Sequence, residues 1–236
     1  MNEVAYEGRD LEVLAEMPNY YSWIFETFKP YVKSRVVEYG AGSGTISARL
    51  APLAQQLTLV EPSINLTAVL RKRFGDTGKV TVVGEALENH VAGTAAGSFE
   101  TVVLVNVLEH IDNDRHALAE LFRILCSGGY LLLFVPALEQ LMSPLDKLHG
   151  HFRRYHRPDL MAKVGEAGGE VLSCRYFDIF GVLPWFLLNT LLGSTTFNPS
   201  LVAFNDRVVV PVSRLAEKAI RPSFGKNLLL VARKPH

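Results

Sequence analysis

The chain has 236 residues, of which 48% are hydrophobic and 20% charged, a balance typical of a folded globular domain rather than a disordered chain. Its 24 basic and 24 acidic residues cancel, which argues against nucleic acid as a partner, because nucleic-acid-binding surfaces carry a basic excess. The two cysteines, Cys126 and Cys174, show no disulfide or metal-ligand spacing, so we expect no metal. The acidic N-terminus lacks the apolar core of a signal peptide, so we expect a cytoplasmic protein.

The first part of the chain predicts a helical cap followed by alternating strands and helices. Within residues 1–33, apolar side chains recur at helical spacing, with breaks near Pro18 and Pro30. Apolar runs separated by helices of about 10–15 residues then indicate βαβ units, and thus a doubly wound, Rossmann-like parallel sheet. The predicted strands lie within 35–39, 56–62, 80–89, 99–111 and 130–137. A helix over 114–129 is expected to end on a glycine pair.

The regular alternation of strands and helices ends after residue 138, where two more strands and a long apolar insertion are predicted. The segment "GGEVLSCRYFD" (168–178) reads as a sixth strand and 226–235 as a seventh, joined as an antiparallel pair at the sheet edge. Residues 177–225 form what we call the insertion. Its apolar start, 177–193, is short for a membrane span and is interrupted by Gly181 and Pro184. It predicts a buried helix or a lid, and contact with a membrane surface stays open.

The glycine turn in "VVEYGAGSG" (36–44) predicts a ligand site, because ligands of open parallel sheets bind at the carboxyl ends of the strands. Gly40, Gly42 and Gly44 allow backbone conformations and close approaches that side chains would block. Their spacing departs from the dinucleotide pattern G-x-G-x-x-G. Glu38 would also repel a pyrophosphate but attract a cation. S-adenosylmethionine (SAM), which carries a sulfonium and an ammonium but no phosphate, therefore fits better than a nicotinamide coenzyme.

Two further glutamates follow neighbouring strands. Glu61 comes after the second strand, where a carboxylate accepts hydrogen bonds from ribose hydroxyls. Glu85 comes after the third, near where an adenine amino group would lie, with the backbone of Ala86 beside it. We therefore expect these acids to lie along the same ligand as Glu38.

Together these segments resemble the class I SAM-dependent methyltransferases, of the small bacterial type. The resemblance rests on "VVEYGAGSG", "LVEP", "GEALEN", "FETVVLVNVLEHI" and "LFRILCSGGYLLLFVPA", which cover the sheet region in order. It implies SAM as cofactor and S-adenosylhomocysteine as product, with Ala41 and Pro62 among the contacts and Asn106 and Val107 at the methionine end. The helix containing Tyr20 would close over the sulfonium, although core packing explains this aromatic equally well.

The acceptor side is less specific. His110, just after the fourth strand, is a candidate general base for a hydroxyl acceptor, if one is needed. The loop "HGHFRRYHRP" (149–158) offers donors that would grip a carboxylate or phosphate, unless it is simply a solvated loop. Candidate substrate residues are His151, Arg153, Arg154, Tyr155 and, in the insertion, Trp185.

The sequence thus predicts a SAM-dependent methyltransferase acting on a small molecule, with oxygen favoured over nitrogen or carbon as the acceptor atom. The aromatic and aliphatic side chains of the insertion favour an apolar or lipid-like acceptor. The alternative is a non-catalytic protein of the same fold that docks a partner or a membrane through residues 177–193. The sequence does not specify an oligomeric state.

Overall fold

The computed structural model describes residues 17–75 and 78–236. Its centre is a seven-stranded sheet in the order β3-β2-β1-β4-β5-β7-β6. β1 to β5 pair in parallel, and β7 runs antiparallel to both of its neighbours, so the predicted Rossmann-like fold with an antiparallel last strand is confirmed. The strands are β1 Arg35–Tyr39, β2 Gln56–Val60, β3 Val80–Val83, β4 Phe99–Val105, β5 Leu125–Pro136, β6 Glu170–Phe177 and β7 Asn227–Arg233.

Helices cover both faces of the sheet and fill the insertion. The predicted helix ahead of Pro18 lies outside the described residues, apart from its last position. The α-helices are Pro18–Phe28, Ser47–Leu50, Ile64–Phe74, Leu87–Gly93, Asp114–Ile124, Pro144–Leu148, Arg157–Glu166, Val182–Trp185, Pro199–Phe204 and Val210–Ala219. Single 3₁₀ turns occupy Lys29–Tyr31, Leu108–His110 and Glu139–Leu141, and π-helical turns occupy Phe186–Leu191 and Asn205–Val209.

The continuous apolar runs of the strands arise because the sheet is buried on both faces. Side chains alternate along a strand, so Val36 and Val37 of β1 enter different core layers. The layer around Val36 includes Ile24 and Phe28 of the N-terminal helix, Pro18–Phe28, both fully buried. Packing on this side fixes that helix against the sheet.

Two details of the central strands differ from the sequence-based expectation. The helix expected to end on the glycine pair ends instead at Ile124, and β5 begins at Leu125. Gly129 passes so close to β4 that a Cβ there would lie 3.1 Å from the Glu100 carbonyl oxygen. Gly129 therefore serves strand contact rather than a helix end. β6 and β7 do pair antiparallel, but β7 lies inside the sheet and β6 alone forms the edge.

The insertion is a set of short helices that covers the carboxyl ends of the strands. Its apolar start is not a buried core helix, since Leu183, Leu191 and Leu192 are 63%, 67% and 74% exposed, whereas Asn189 points inward and is buried. None of the helices in the described residues is both long and apolar enough to span a bilayer. The alternative of a lid over the strand ends agrees with this arrangement.

Candidate functional site

A cavity of about 1110 Å³ lies between the carboxyl ends of β1 to β4, the N-terminal helix and the insertion. The sheet side contributes the glycine turn after β1 and the residues that follow β2, β3 and β4. The opposite side is formed by residues 181–205 of the insertion. One cavity therefore joins a polar wall built on strand ends to a wall of apolar and polar side chains from the insertion, a make-up compatible with a small-molecule site.

The glycine turn needs its glycines for two different reasons. Gly40 and Gly42 have positive φ values of 64° and 55° and line the cavity. A Cβ on Gly40 would overlap Cγ2 of Val107, so only a bare backbone fits there. Gly44, with φ 86°, does not line the cavity, and a Cβ there would lie 2.7 Å from the Phe74 ring. The predicted cofactor contact of Gly44 is thus corrected to a packing role.

Glu38 is a buried carboxylate at the cavity wall. It is 3% exposed, and one of its oxygens accepts a hydrogen bond of 2.6 Å from the Ser47 hydroxyl. Burial raises the pKa of Glu38 to about 8, an increase that the nearby Glu61 carboxylate reinforces and the Ser47 hydrogen bond opposes. Among the described residues no hydrogen bond or ion pair joins Glu38 to a basic group, so a positively charged ligand beside it would favour the ionised carboxylate.

This raised pKa makes stability depend on pH. The folded chain holds a proton on Glu38 up to about pH 8, whereas the unfolded chain releases it near pH 4.5. The stabilisation of the fold by the protonated Glu38 side chain is complete below pH 4.5. It is lost as the pH rises through about 8. Glu38→Gln should therefore remove a decline of up to about 1.4 kcal/mol per pH unit between those values. Urea unfolding at several pH values measures it, with the exposed Glu26→Gln as control.

Glu61 fastens the glycine turn to the end of β2. One carboxylate oxygen accepts from the Gly42 N–H at 2.9 Å, and the other accepts from the Ser63 N–H at 3.0 Å. The side chain is 5% exposed and lines the cavity. Since a carboxylate has about four acceptor positions, two remain for a ligand.

The other predicted cofactor residues also surround the cavity. Asn106 directly follows β4 with a positive φ of 53°, and its N–H donates to the Phe134 carbonyl at 2.8 Å, which fixes this unusual backbone conformation. The cavity-lining residues among the predicted cofactor set are Tyr20, Glu38, Gly40, Ala41, Gly42, Glu61, Pro62, Glu85, Ala86, Asn106 and Val107. The parallel strands therefore bring together the residues that the sequence analysis selected, with Gly44 as the exception.

The N-terminal helix closes the cavity through contacts with the insertion. Asp206 is 1% exposed, and its carboxylate accepts from the N–H groups of Asn19 and Tyr20 at 3.2 and 2.9 Å. The Tyr20 hydroxyl donates to the Asn227 side chain at 2.9 Å, and the Lys226 ammonium lies 5.2 Å from the centroid of the Tyr20 ring. These bonds hold Tyr20 in the cavity wall.

At the far end of the cavity, His110 and His151 meet edge to face, with ring centroids 4.6 Å apart. Although His110 is exposed to the cavity, the surrounding protein atoms lower its pKa to about 4, and His151 adds to the decrease. His110 is thus neutral near pH 7. It can accept a hydrogen bond from a hydroxyl, but it is a weaker base than the sequence-based role assumed.

Two of the loop arginines, Arg153 and Arg154, are not free cations, contrary to the expectation. Arg154 lines the cavity, but its guanidinium makes hydrogen bonds of 2.8 and 3.1 Å to the Asp146 carboxylate. Arg153 is paired with Asp114 at 2.8 Å, and the fully buried Tyr155 donates to the same carboxylate at 3.0 Å. Neither Arg153 nor Tyr155 lines the cavity. A local carboxylate, that of Asp114, already occupies donors of both residues, so this arrangement gives no support to their predicted substrate roles.

Trp185 does reach the cavity, where its indole N–H donates to the Leu141 carbonyl at 3.0 Å. Its ring lies 4.7 Å from the Arg154 guanidinium and 5.8 Å from the Lys226 ammonium. Lys226 was not predicted, and it lines the cavity while pairing with Asp178 at 3.0 Å. No motif marks it, since only its position one residue before β7 places it there.

The comparisons with known proteins agree with this geometry. Residues 37–133 match the family model described as a methyltransferase domain. The ubiquinone biosynthesis O-methyltransferase of Xanthomonas euvesicatoria is 27% identical over 168 residues, covering 64% of this chain and 68% of that protein.

Two solved structures share the fold at low sequence identity. One is the complex between the Haloferax volcanii Trm112 methyltransferase activator and the putative methyltransferase, with a TM-score of 0.68 and 17% identity over 98% of this chain and 95% of that chain. The other is a putative methyltransferase from Bacillus halodurans, with a TM-score of 0.65 and 16% identity over 92% and 99%. At these identities the likeness concerns the fold.

Proposed function

We propose that this chain, a class I SAM-dependent methyltransferase, methylates a hydroxyl oxygen of a small and partly apolar molecule. The observation that carries the proposal is the continuous cavity between the strand ends and the insertion. Its polar end has the buried carboxylate of Glu38, and its other end is lined by histidines and apolar side chains. A charged donor and an apolar acceptor can therefore meet in one continuous cavity.

The polar end suits SAM, which when bound supplies a methyl group activated by its sulfonium. Glu38 would lie close to positive charge, and Glu61 would accept from ribose hydroxyls while it holds the Gly42 backbone in place. Gly40 leaves room that a side chain would fill. Glu85 and Ala86 would flank the base, and Tyr20 would place its ring over the opposite side.

The acceptor end determines which molecule reacts. Pro184, Leu188, Phe197 and Leu201 of the insertion line it and would contact an apolar body, while polar side chains of the same segment also border the cavity. His110, neutral at physiological pH, would accept a hydrogen bond from the hydroxyl and orient its oxygen for in-line attack. The name of the Xanthomonas relative adds support for oxygen over nitrogen or carbon.

A methylation screen tests this proposal. The full chain would be incubated with SAM carrying a labelled methyl group and with matched sets of phenols, amines and activated carbon acids of increasing apolar length. We expect label to enter phenols, more strongly as the apolar part grows, because that part is buried in the insertion. Label in amines alone would contradict the oxygen acceptor. No binding of SAM by calorimetry would leave a non-catalytic protein.

A further inference from the structure

Glu109 is a buried acid that the proposed reaction does not use. It lies in the 3₁₀ turn after β4, its side chain is fully buried, and neither carboxylate oxygen has a hydrogen-bond partner among the described residues. Its backbone is engaged, since the Phe152 N–H donates to the Glu109 carbonyl at 2.9 Å. A buried carboxylate without a partner is costly, so this group calls for an explanation.

Two imidazoles converge on this carboxylate. Glu109, His110 and His151 each offer a potential ligand atom, and these atoms lie within 4.8 Å of one another. The residues come from two separate segments, the turn after β4 and the loop after β5, which the Phe152 hydrogen bond ties together. Three donors from two segments around one point have the size and composition of a metal-binding site.

One ring nitrogen of His151 is held by a carboxylate. Its Nδ1 lies 2.9 Å from a carboxylate oxygen of Asp146, so Nδ1 carries the proton and the lone pair of Nε2 is free. Asp146 is itself fixed by the Arg154 guanidinium and by the hydroxyl and N–H of Ser143. A carboxylate that orients the second nitrogen of a histidine is the usual outer partner of a metal-ligating imidazole.

We infer that Glu109, His110 and His151 form a binding site for a divalent transition-metal ion, which the sequence-based expectation of no metal overlooked. Two imidazole nitrogens and one carboxylate oxygen suit Zn²⁺ and Co²⁺ better than Mg²⁺ or Ca²⁺, which prefer oxygen alone. Three protein ligands leave a coordination position open. His110 and His151 line the cavity, so the open position faces the acceptor end. A role in binding the acceptor hydroxyl there rests on the proposed function, whereas the metal site does not.

Metal titration of the full chain, with any histidine tag removed, tests the site directly. After dialysis against a chelator, Co²⁺ alone is added and its visible d–d bands are followed, and Zn²⁺ is then used to displace it. We expect one Co²⁺ per chain with a spectrum of low coordination number. Glu109→Gln, His110→Gln and His151→Gln should each weaken binding by about 100-fold or more, beyond the 10- to 100-fold typical of losing an outer partner.

The matched control is His156→Gln, a histidine of the same loop outside the cluster, which should bind Co²⁺ like the natural chain. Melting curves and SAM affinity establish that each variant is folded. If Glu109→Gln fails to fold because Glu109 is buried, His110→Gln still tests the site, because His110 faces the cavity. No stoichiometric uptake by the natural chain, or uptake that all three substitutions leave intact, would overturn the inference. Since no acceptor is present, this failure is separate from failure of the methylation screen.

Discussion

Glu61→Ala is expected to lower the affinity for SAM by about 1–3 kcal/mol, which corresponds to roughly 5- to 150-fold in the dissociation constant. The substitution removes the acceptor for ribose hydroxyls and leaves the N–H groups of Gly42 and Ser63 without their partners. Both losses act on the bound state, because the glycine turn must keep its shape to receive the ligand. Isothermal titration with SAM and with S-adenosylhomocysteine measures the change.

The two roles of Glu61 can be separated by a milder substitution. Glu61→Gln keeps one carbonyl oxygen and can satisfy only one of the two N–H groups, so its affinity should lie between those of the natural chain and Glu61→Ala. Glu88→Ala is the matched control, since Glu88 also lines the cavity but, in the described part of the chain, makes no hydrogen bond to the glycine turn. Unchanged affinity in Glu61→Ala would remove Glu61 from the cofactor site.

The polar wall of the cavity could be predicted from the sequence because its geometry follows from the sheet. The carboxyl ends of parallel strands meet at one edge of the sheet, so acids in the last positions of β1 or just after β2 and β3 must lie near one another. Glu38, Glu61 and Glu85 were selected on that basis, and all three line the cavity. The glycine turn was predictable for the same reason, whereas the contact between Gly44 and Phe74 depends on a helix whose packing leaves no local pattern.

The acceptor wall could not be predicted because its residues are defined by partners far along the chain. Arg153 and Arg154 look like free donors in the sequence, but Asp114 and Asp146 neutralise them in the fold. Lys226 reaches the cavity only because β7 inserts between β5 and β6. Ion pairs between residues far apart in the sequence leave no periodic pattern that could predict them. Sequence reasoning therefore assigned binding roles to Arg153 and Arg154, whose ion pairs stabilise the loop.

Asp206→Ala is expected to destabilise the chain by about 1.5–3 kcal/mol, the range for a hydrogen bond to a charged group. Asp206 lies in the insertion but caps the helix Pro18–Phe28, whose preceding residue, Met17, provides no side-chain cap. Without the carboxylate, the first N–H groups of that helix would lose their partner in a buried position. Urea unfolding measures the loss, and the affinity for SAM should fall with it, because Tyr20 is held in the cavity wall by the same contact.

The comparison that isolates this contact uses two further variants. Asp206→Asn keeps one acceptor oxygen and should recover part of the stability, whereas Asp159→Ala removes an acid whose side chain is 50% exposed and should cost about 0.5 kcal/mol or less. If Asp206→Ala unfolds at the same urea concentration as the natural chain, the insertion is not fastened to the N-terminal helix through this residue. If stability falls but SAM affinity does not, Tyr20 contributes to packing alone, since the cap would then be lost without any effect on the ligand.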